Sequence, residues 1–210
     1  MIDRINAILD TDACARAGWQ PLDVARAFLA GGARFLQLRA KSLSGREFLD
    51  LASAVASLAH REQATLIVND RADIARLAEA DGVHVGQEDL SPAAVRAIAG
   101  DTAVVGLSTH TIEQIAAAVS QPVTYIAVGP VFGTSTKATG YEQVGLAMVR
   151  EAAKRASARG LPLVAIGGIT LENAASVIEA GAASVAVISD LLATGDPEAR
   201  VRAYRDRLWR

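Results

Sequence analysis

Residues 65–89, TLIVNDRADIARLAEADGVHVGQED, contain a strand, a helix and a second strand in one short stretch. The runs 65–68 and 82–85 are apolar and bounded by turn residues, whereas the segment between them has helical composition. Each run is followed by polar residues that include an aspartate, Asp70 or Asp89. A buried strand, a helix and another buried strand form the repeating unit of a parallel α/β fold.

Apolar runs of the same type recur along the whole chain, separated by segments whose apolar residues lie three or four positions apart, as in amphipathic helices. The runs are INAIL (5–9), FLQL (35–38), TLIV (65–68), GVHV (82–85), AVVGL (103–107), TYIAV (124–128), LVAI (163–166) and SVAVI (184–188). Eight such units predict a single-domain (β/α)8 TIM barrel over residues 1–210. An open, doubly wound sheet is the weaker alternative, because the first unit lacks a Gly-rich dinucleotide-binding turn.

Composition and charge restrict the class of protein. Hydrophobic residues make up 51% of the chain and aromatic residues only 4%, so the core consists mainly of Ala, Val, Leu and Ile. A net charge of −2 without a block of Lys or Arg argues against nucleic-acid and membrane partners. Because Cys14 is the single cysteine and no apolar stretch reaches the roughly 18 residues of a spanning helix, we expect a cytoplasmic protein. A homo-oligomer stays open.

Three polar side chains at the end of the second run alternate along the chain with the period of a strand. Gln37, Arg39 and Lys41 in QLRAK alternate with a period of two, so they point into the barrel mouth if the strand geometry continues. An isolated Arg and Lys pair more often begins a solvated loop. Three groups in phase at the catalytic end of a barrel favour a binding site instead.

Acidic residues follow the third and fourth runs, which are neighbours in a barrel. Asn69 and Asp70 end the third, whereas Glu88 and Asp89 follow the fourth. Carboxylates brought together repel unless a cation lies between them, and Mg²⁺ is commonly held by one or two carboxylates. The alternative is that the two aspartates cap the helices that follow. No His and Cys cluster indicates zinc.

Two further regions have the composition of a phosphate site. The long loop after the sixth run has hydroxyls and a cation without a nearby base, which favours phosphate binding over a nucleophilic triad. These loop residues are Thr134, Ser135, Thr136 and Lys137. After the seventh and eighth runs, Gly168 permits close approach of a phosphate and Ser189 adds a hydroxyl. A flexible surface loop and ordinary Gly-Gly turns are the alternatives.

The histidines are less informative. His84 lies inside an apolar run and is typical of a core residue with a hydrogen-bond partner. His110 follows the fifth run, closer to the mouth, where a surface position and an acid/base role both remain open.

Taken together, the motifs resemble the thiamine phosphate synthase family, also called thiamine-phosphate pyrophosphorylase. The resemblance extends nearly from end to end and is carried by QLRAK, VNDRADIA, GVHVGQEDL, GLSTHT, VGPVFGTSTK, AIGGIT and VAVIS, in the family's order. The segment ILDTDACARAGW departs from the family's usual first strand.

This resemblance implies a transferase that joins 4-amino-2-methyl-5-hydroxymethylpyrimidine diphosphate to 4-methyl-5-(2-hydroxyethyl)thiazole phosphate and releases pyrophosphate. It implies that the diphosphate is held by Gln37, Arg39, Lys41, Asn69, Ser108 and Lys137, and Mg²⁺ by Asp70 and Asp89. It implies that the thiazole phosphate is held by Thr134, Ser135, Thr136, Gly168, Ile188 and Ser189. The cations Arg39, Lys41 and Lys137 would be catalytic because they stabilise the departing pyrophosphate in the family's dissociative mechanism.

Three other functions compete with the synthase. A thiazole tautomerase of the same barrel type uses a histidine near His110 but needs neither a diphosphate nor a metal. The acid pair, Lys41 and Lys137 therefore favour the synthase. Another phosphate-handling barrel, such as an isomerase or a lyase, would not require that acid pair. A catalytically silent barrel that binds thiamine precursors would not require cations for a leaving group.

Overall fold

The computed structural model describes residues 2–133 and 142–209, in which strands and helices alternate. The strands are β1 (Ile5–Asp10), β2 (Phe35–Arg39), β3 (Thr65–Asn69), β4 (Gly82–Val85), β5 (Val104–Thr109), β6 (Tyr125–Val128), β7 (Leu163–Ile166) and β8 (Ser184–Val187). The helices are α1 (Thr11–Arg16), α2 (Pro21–Ala30), α3 (Gly45–Arg61), α4 (Ala72–Leu77), α5 (Pro92–Ala99), α6 (Ile112–Ala118), α7 (Gly145–Ser157), α8 (Ala174–Glu179) and α9 (Pro197–Leu208), with a 3₁₀ turn at Ser189–Leu191. Every predicted strand is present, with bounds shifted by at most two residues.

The eight strands close into one parallel barrel in sequence order. The closure is the pairing of β8 with β1, in which Ile5 lies opposite Val185 and Ala7 opposite Val187. The predicted (β/α)8 barrel is therefore confirmed, and the open doubly wound sheet is wrong.

Alternation along the strands separates two apolar layers. Outward residues such as Ala7 and Leu9 belong to the large core between the strands and the helices. Inward residues such as Ile8, Phe35 and Ile67 form a smaller core inside the barrel. The inward rows end in polar side chains at the carboxyl ends of the strands, and this arrangement positions the candidate site.

Polar side chains cap the starts of several helices. Ser44 and Glu47 form a capping box at α3, and Ser91 and Asp196 cap α5 and α9 directly before a proline. Thr111 caps α6, so these caps fix the points at which the chain leaves the barrel mouth. None of the described helices combines the length and apolar character required to span a bilayer.

Candidate active site

A cavity of about 260 Å³ opens at the carboxyl ends of the strands. Inward side chains of the barrel form its floor, and the chain after β6, β7 and β8 forms one wall. Seven of the residues predicted to bind substrate line it: Gln37, Arg39, Asn69, Ser108, Gly168, Ile188 and Ser189. The structure therefore brings together residues from five strands and their following loops.

Arg39 is fixed by an acid from the neighbouring strand. Its Nη1 atom donates a hydrogen bond to Oδ2 of Asp10 at 2.5 Å, and the Asp10 side chain is only 3% exposed. The other carboxylate oxygen of Asp10 accepts from the N–H of Ala13 at 2.8 Å and so caps α1. The guanidinium is thus held at the cavity wall by a carboxylate that also caps α1.

Lys41 does not continue the alternation of β2 that its spacing from Gln37 and Arg39 suggested. β2 ends at Arg39, and Lys41 lies beyond it with 52% of its side chain exposed. Its Nζ atom forms an ion pair with Oδ2 of Asp70. Lys41 therefore reaches the edge of the site through Asp70, which follows the next strand, rather than through the alternation of β2.

Asp70 and Asp89 meet at the rim of the barrel. Asp70 follows β3 with a φ of 65°, and its N–H donates to the backbone oxygen of His84 at 2.8 Å. Burial raises the pKa of the Asp70 carboxyl, and Asp89, which lies in hydrogen-bonding contact with it, raises it further, whereas Lys41 opposes both effects. The side chain of Asp89 also accepts from the N–H of Gly86 at 2.7 Å. Two acids and one ammonium thus share the rim.

The capping alternative for these aspartates is wrong. Arg71 is the N-cap of α4 and makes no side-chain capping bond, and Ser91 caps α5. Within residues 2–133 and 142–209, no group of three or more His, Cys, Asp or Glu side chains is arranged to hold a metal ion. An acid pair without a third acid is the ligand set that suits Mg²⁺, which completes its octahedron with water and phosphate oxygens.

A buried hydrogen-bond chain leads to Ser108. Tyr125 is fully buried, and its hydroxyl lies 2.8 Å from Nδ1 of His84, whose Nε2 lies 2.8 Å from Oγ of Ser108. Burial raises the pKa of Tyr125, so its hydroxyl remains protonated. Both ring nitrogens of His84 thus contact a hydroxyl group, and the imidazole holds Ser108 beside the cavity.

His110 lies on the cavity wall but is held by the backbone. Its Nδ1 lies 2.6 Å from the carbonyl oxygen of Gly129, and its N–H donates to the side chain of Gln114 at 2.7 Å. Because a carbonyl only accepts, the proton of the neutral ring lies on Nδ1. The position of His110 near the mouth is confirmed, and its role stays a prediction.

The opposite wall is built from closely packed backbone. Gly167 and Gly168 have φ values of 104° and 62°, and a Cβ atom on Gly168 would lie 2.5 Å from the oxygen of Gly133. The side chain of Asn173 holds this loop by donating to the oxygen of Gly168 at 3.0 Å and accepting from the N–H of Thr170 at 2.9 Å. Glycine is therefore required here for both conformation and space.

Part of the predicted phosphate site lies outside the described residues, namely Thr134, Ser135, Thr136 and Lys137. The two described ends of this loop are held together, because the N–H of Gly133 donates to Oε1 of Gln143 at 3.0 Å. The end at Gly133 lies next to the wall formed by Gly168.

Comparison with known proteins agrees with this geometry. A family model described as "Thiamine monophosphate synthase" matches residues 5–191. The chain belongs to the thiamine monophosphate synthase family. The match extends from β1 to the 3₁₀ turn after β8 and so includes the whole barrel of strands.

Members of the thiamine monophosphate synthase family with established names are similar over most of their length. A thiamine-phosphate synthase of Roseiflexus castenholzii is 43% identical over 196 residues, which cover 93% of this chain and 85% of the relative. One of Koribacter versatilis is 44% identical over 208 residues, with 97% and 94% covered. The solved structure of a thiamine phosphate pyrophosphorylase from Pyrococcus furiosus superposes with a TM-score of 0.87 at 28% identity, covering 98% of this chain and 95% of that one. The tautomerase alternative is not favoured.

Sequence reasoning did not place three residues at this site, although it did predict that His84 is a core residue with a hydrogen-bond partner. Asp10 ends β1 just as Asp70 follows β3, so the same signal was present. His84 faces the inside of the barrel. Its two hydrogen-bond partners lie on β5 and β6, far from it in the sequence. Asp190 directly follows the motif VAVIS and lines the cavity. The groups that bind its carboxylate lie elsewhere in the chain.

Proposed function

We propose that the protein is a transferase that joins 4-amino-2-methyl-5-hydroxymethylpyrimidine diphosphate to 4-methyl-5-(2-hydroxyethyl)thiazole phosphate and releases pyrophosphate. Family membership supports this reaction. The observation that carries the proposal is the contact between Asp70 and Asp89 beside Lys41, at the edge of a cavity lined by Arg39. An acid pair with one ammonium at the rim, and a guanidinium on the adjoining cavity wall, suit a diphosphate leaving group with a divalent ion.

The acid pair is the proposed Mg²⁺ site. Two adjacent carboxylates repel each other, and the raised pKa of Asp70, due to burial and then to Asp89, reflects the cost of ionising both. A divalent cation held by Asp70 and Asp89 would remove that cost. When bound, Mg²⁺ supplies positive charge to the diphosphate oxygens.

The pyrimidine diphosphate is proposed to occupy the side of the cavity formed by β2, β3 and β5. Gln37 and Asn69 supply amide groups, and Ser108, held by His84, supplies a hydroxyl group. Arg39 is held in place by Asp10, so little side-chain entropy is lost when it binds a phosphate oxygen. Lys137, which lies outside the described residues, remains a predicted third cation.

The chemical step needs no nucleophile from the protein. The methylene carbon–oxygen bond breaks with its electron pair leaving on pyrophosphate, and the electron-rich aminopyrimidine carries the positive charge. The thiazole nitrogen then donates its lone pair to the methylene carbon and forms the new carbon–nitrogen bond. Arg39 and Lys41 contribute because the charge on the leaving oxygen is larger in the transition state than in the substrate.

The thiazole phosphate is proposed to bind at the opposite wall, on Gly168, Ile188 and Ser189. The φ of 62° at Gly168 and the absence of its Cβ allow a phosphate to approach the backbone. Thr134, Ser135 and Thr136 remain predicted partners outside the described residues. The two phosphate groups would then lie on different sides of one cavity, with the reacting atoms between them.

Phosphorylated small molecules are the proposed partners of the site. A cytoplasmic location, a homo-oligomeric state and the absence of nucleic-acid partners remain expectations from the sequence. They do not affect the chemistry of the site.

The test is an assay with both purified precursors, with and without Mg²⁺, that measures thiamine phosphate and pyrophosphate separately. Formation of both products in equal amounts, only when a divalent cation is present, is expected. Undiminished turnover in a chelator would contradict the metal proposal. Binding of both precursors without release of pyrophosphate would contradict the synthase itself.

A further inference from the structure

Asp190 is the most heavily hydrogen-bonded carboxylate beside the cavity among the described residues. Its Oδ2 accepts from the hydroxyl of Tyr204 at 2.6 Å, from Nε of Arg200 at 3.1 Å and from the N–H of Leu171 at 3.2 Å. Its Oδ1 accepts from Nη2 of Arg200 at 2.9 Å. The Asp190 side chain is 12% exposed and that of Arg200 is 15% exposed, so these bonds are shielded from solvent.

These contacts connect three separate parts of the chain. Asp190 lies in the 3₁₀ turn after β8, Leu171 follows the Gly167–Gly168 loop after β7, and Arg200 and Tyr204 lie on α9. Both loops line the cavity, whereas α9 packs on the outside of the barrel. One carboxylate therefore sets the spacing between the two loops and holds both against a fixed helix.

The charge of Asp190 also needs an explanation, because a carboxylate next to a phosphate site would repel the ligand. The bidentate bond from Arg200 neutralises it, and Arg200 is not among the described residues that line the cavity. The paired charges thus serve to hold structure. They leave phosphate binding to the backbone and hydroxyl groups of the two loops.

We propose that Asp190 is a positioning residue for the phosphorylated thiazole: it fixes the distance between Gly168 and Ser189 without itself binding the phosphate. This inference rests on the proposed function for the identity of the ligand. β8 lies across the barrel from β4, so the acid pair at the β3 and β4 ends is remote from Asp190. Loss of Asp190 should therefore affect one substrate and not the other.

The experiment compares Asp190→Asn and Tyr204→Phe with Glu198→Gln. Asp190→Asn removes the carboxylate and weakens its four bonds, whereas Tyr204→Phe removes only one hydroxyl and keeps the charged pair. Glu198→Gln is the matched control, because it removes an exposed ion pair with Arg202 on the same helix. KM for each substrate and kcat are measured at saturation of the other substrate.

Asp190→Asn should raise KM for the thiazole phosphate about tenfold, since losing hydrogen bonds to a charged group has an effect of this order. KM for the pyrimidine diphosphate and kcat should change by less than about twofold on the same scale. Tyr204→Phe should show the same split with a smaller amplitude, and Glu198→Gln should match the parent. Equal increases in both KM values would overturn the proposal, because they indicate general loss of structure. A lowered KM for the thiazole phosphate would also overturn it, because it means that the released Arg200 binds the phosphate.

A second measurement separates this inference from the proposed function. Inorganic phosphate is titrated into the same proteins and followed through the backbone amide signals of Gly168 and Ser189. Weaker phosphate binding in Asp190→Asn, but not in Glu198→Gln, supports the positioning role even if the parent makes no thiamine phosphate. Equal binding in all the variants refutes that role, whatever the reaction is.

Discussion

Asp70 combines an uncommon backbone conformation with an uncommon charge environment. Its φ of 65° lies in the left-handed region, which Asp and Asn tolerate better than Ala because their short polar side chains bond locally. Its carboxyl is partly buried beside Asp89 and pairs with Lys41. An alanine here would change the backbone preference and the charge together, so Asn is the substitution that isolates the carboxylate.

Asp70→Asn should lower the metal-dependent rate about 100-fold, which is typical for the loss of one electrostatic group at a developing charge. The variant should fold, because Asn keeps the left-handed turn. Thermal unfolding with and without Mg²⁺ is the second measurement. The parent should be stabilised by the cation and the variant should not, since a ligand that binds only the folded state raises its stability.

Asp73→Asn is the control for this variant, because it removes an exposed carboxylate on the first turn of α4 that pairs with Arg71. It should keep both the rate and the stabilisation by Mg²⁺. Parent-like activity of Asp70→Asn would remove Asp70 from the metal site. Failure of Asp70→Asn to fold would instead assign Asp70 a structural role.

At the scale of elements, the inward side chains of β4 and β6 occupy space on β5 where Gly106 has no side chain. Gly106 on β5 faces inward, and a Cβ atom there would lie 2.1 Å from Cζ of Tyr125 and 2.5 Å from Nδ1 of His84. The glycine thus leaves space for the tyrosine ring, and the ring fixes the imidazole that orients Ser108. Packing in the barrel and polarity in the cavity depend on the same atoms.

Gly106→Ala should lower the free energy of unfolding by about 2–3 kcal/mol, because the added methyl group overlaps two buried rings. It should also lower kcat by displacing Ser108. Urea denaturation measures the first effect and steady-state kinetics the second. Gly45→Ala is the control, because a Cβ atom there has its nearest neighbour at 4.0 Å and the position begins α3. An unchanged urea midpoint for Gly106→Ala would contradict this prediction, because the rings of Tyr125 and His84 would then move without loss of stability.

How far the sequence predicts these elements depends on where the partners of each residue lie. Apolar runs are local signals, so every predicted strand is present. Gln37 and Arg39 follow from the alternation of one strand, whereas Lys41 lies outside that alternation because β2 ends two residues earlier. The role of Asp190 was not predictable, since Tyr204 and Arg200 approach it from a helix at the far end of the chain.

At the scale of the whole molecule, the site exists only while the barrel is closed. Its residues come from strands around the entire circumference, and the two ends of the chain meet where β8 pairs with β1. The side chain of Arg4 donates to the backbone oxygen of Leu208 at 2.8 Å, and Arg205 of α9 lies 3.6 Å from Asp3. Opening this seam would separate the walls of the cavity, so local stability at the seam and activity are coupled.

Cys14 provides a measure of that global stability. The thiol is fully buried in α1, and burial, assisted by the charge of Asp10, raises its pKa from 9.0 to about 12. At pH 8 the thiolate fraction is therefore about a thousandfold lower in the folded protein than in the unfolded chain. Reaction with a thiol reagent should follow unfolding, with a rate that rises steeply at the urea midpoint. Rapid labelling of the protein in native buffer would contradict this placement.

The raised pKa of Cys14 also makes the free energy of unfolding depend on pH. Below pH 9.0 the thiol is protonated in both states and contributes no pH dependence. Between 9.0 and about 12 the unfolded chain loses the proton and the folded protein keeps it, so stability falls by up to about 1.4 kcal/mol per pH unit. Urea denaturation at pH 8 and pH 10 should show this loss in the parent. It should be smaller in Cys14→Ala, and equal losses in the two proteins would mean that another group titrates.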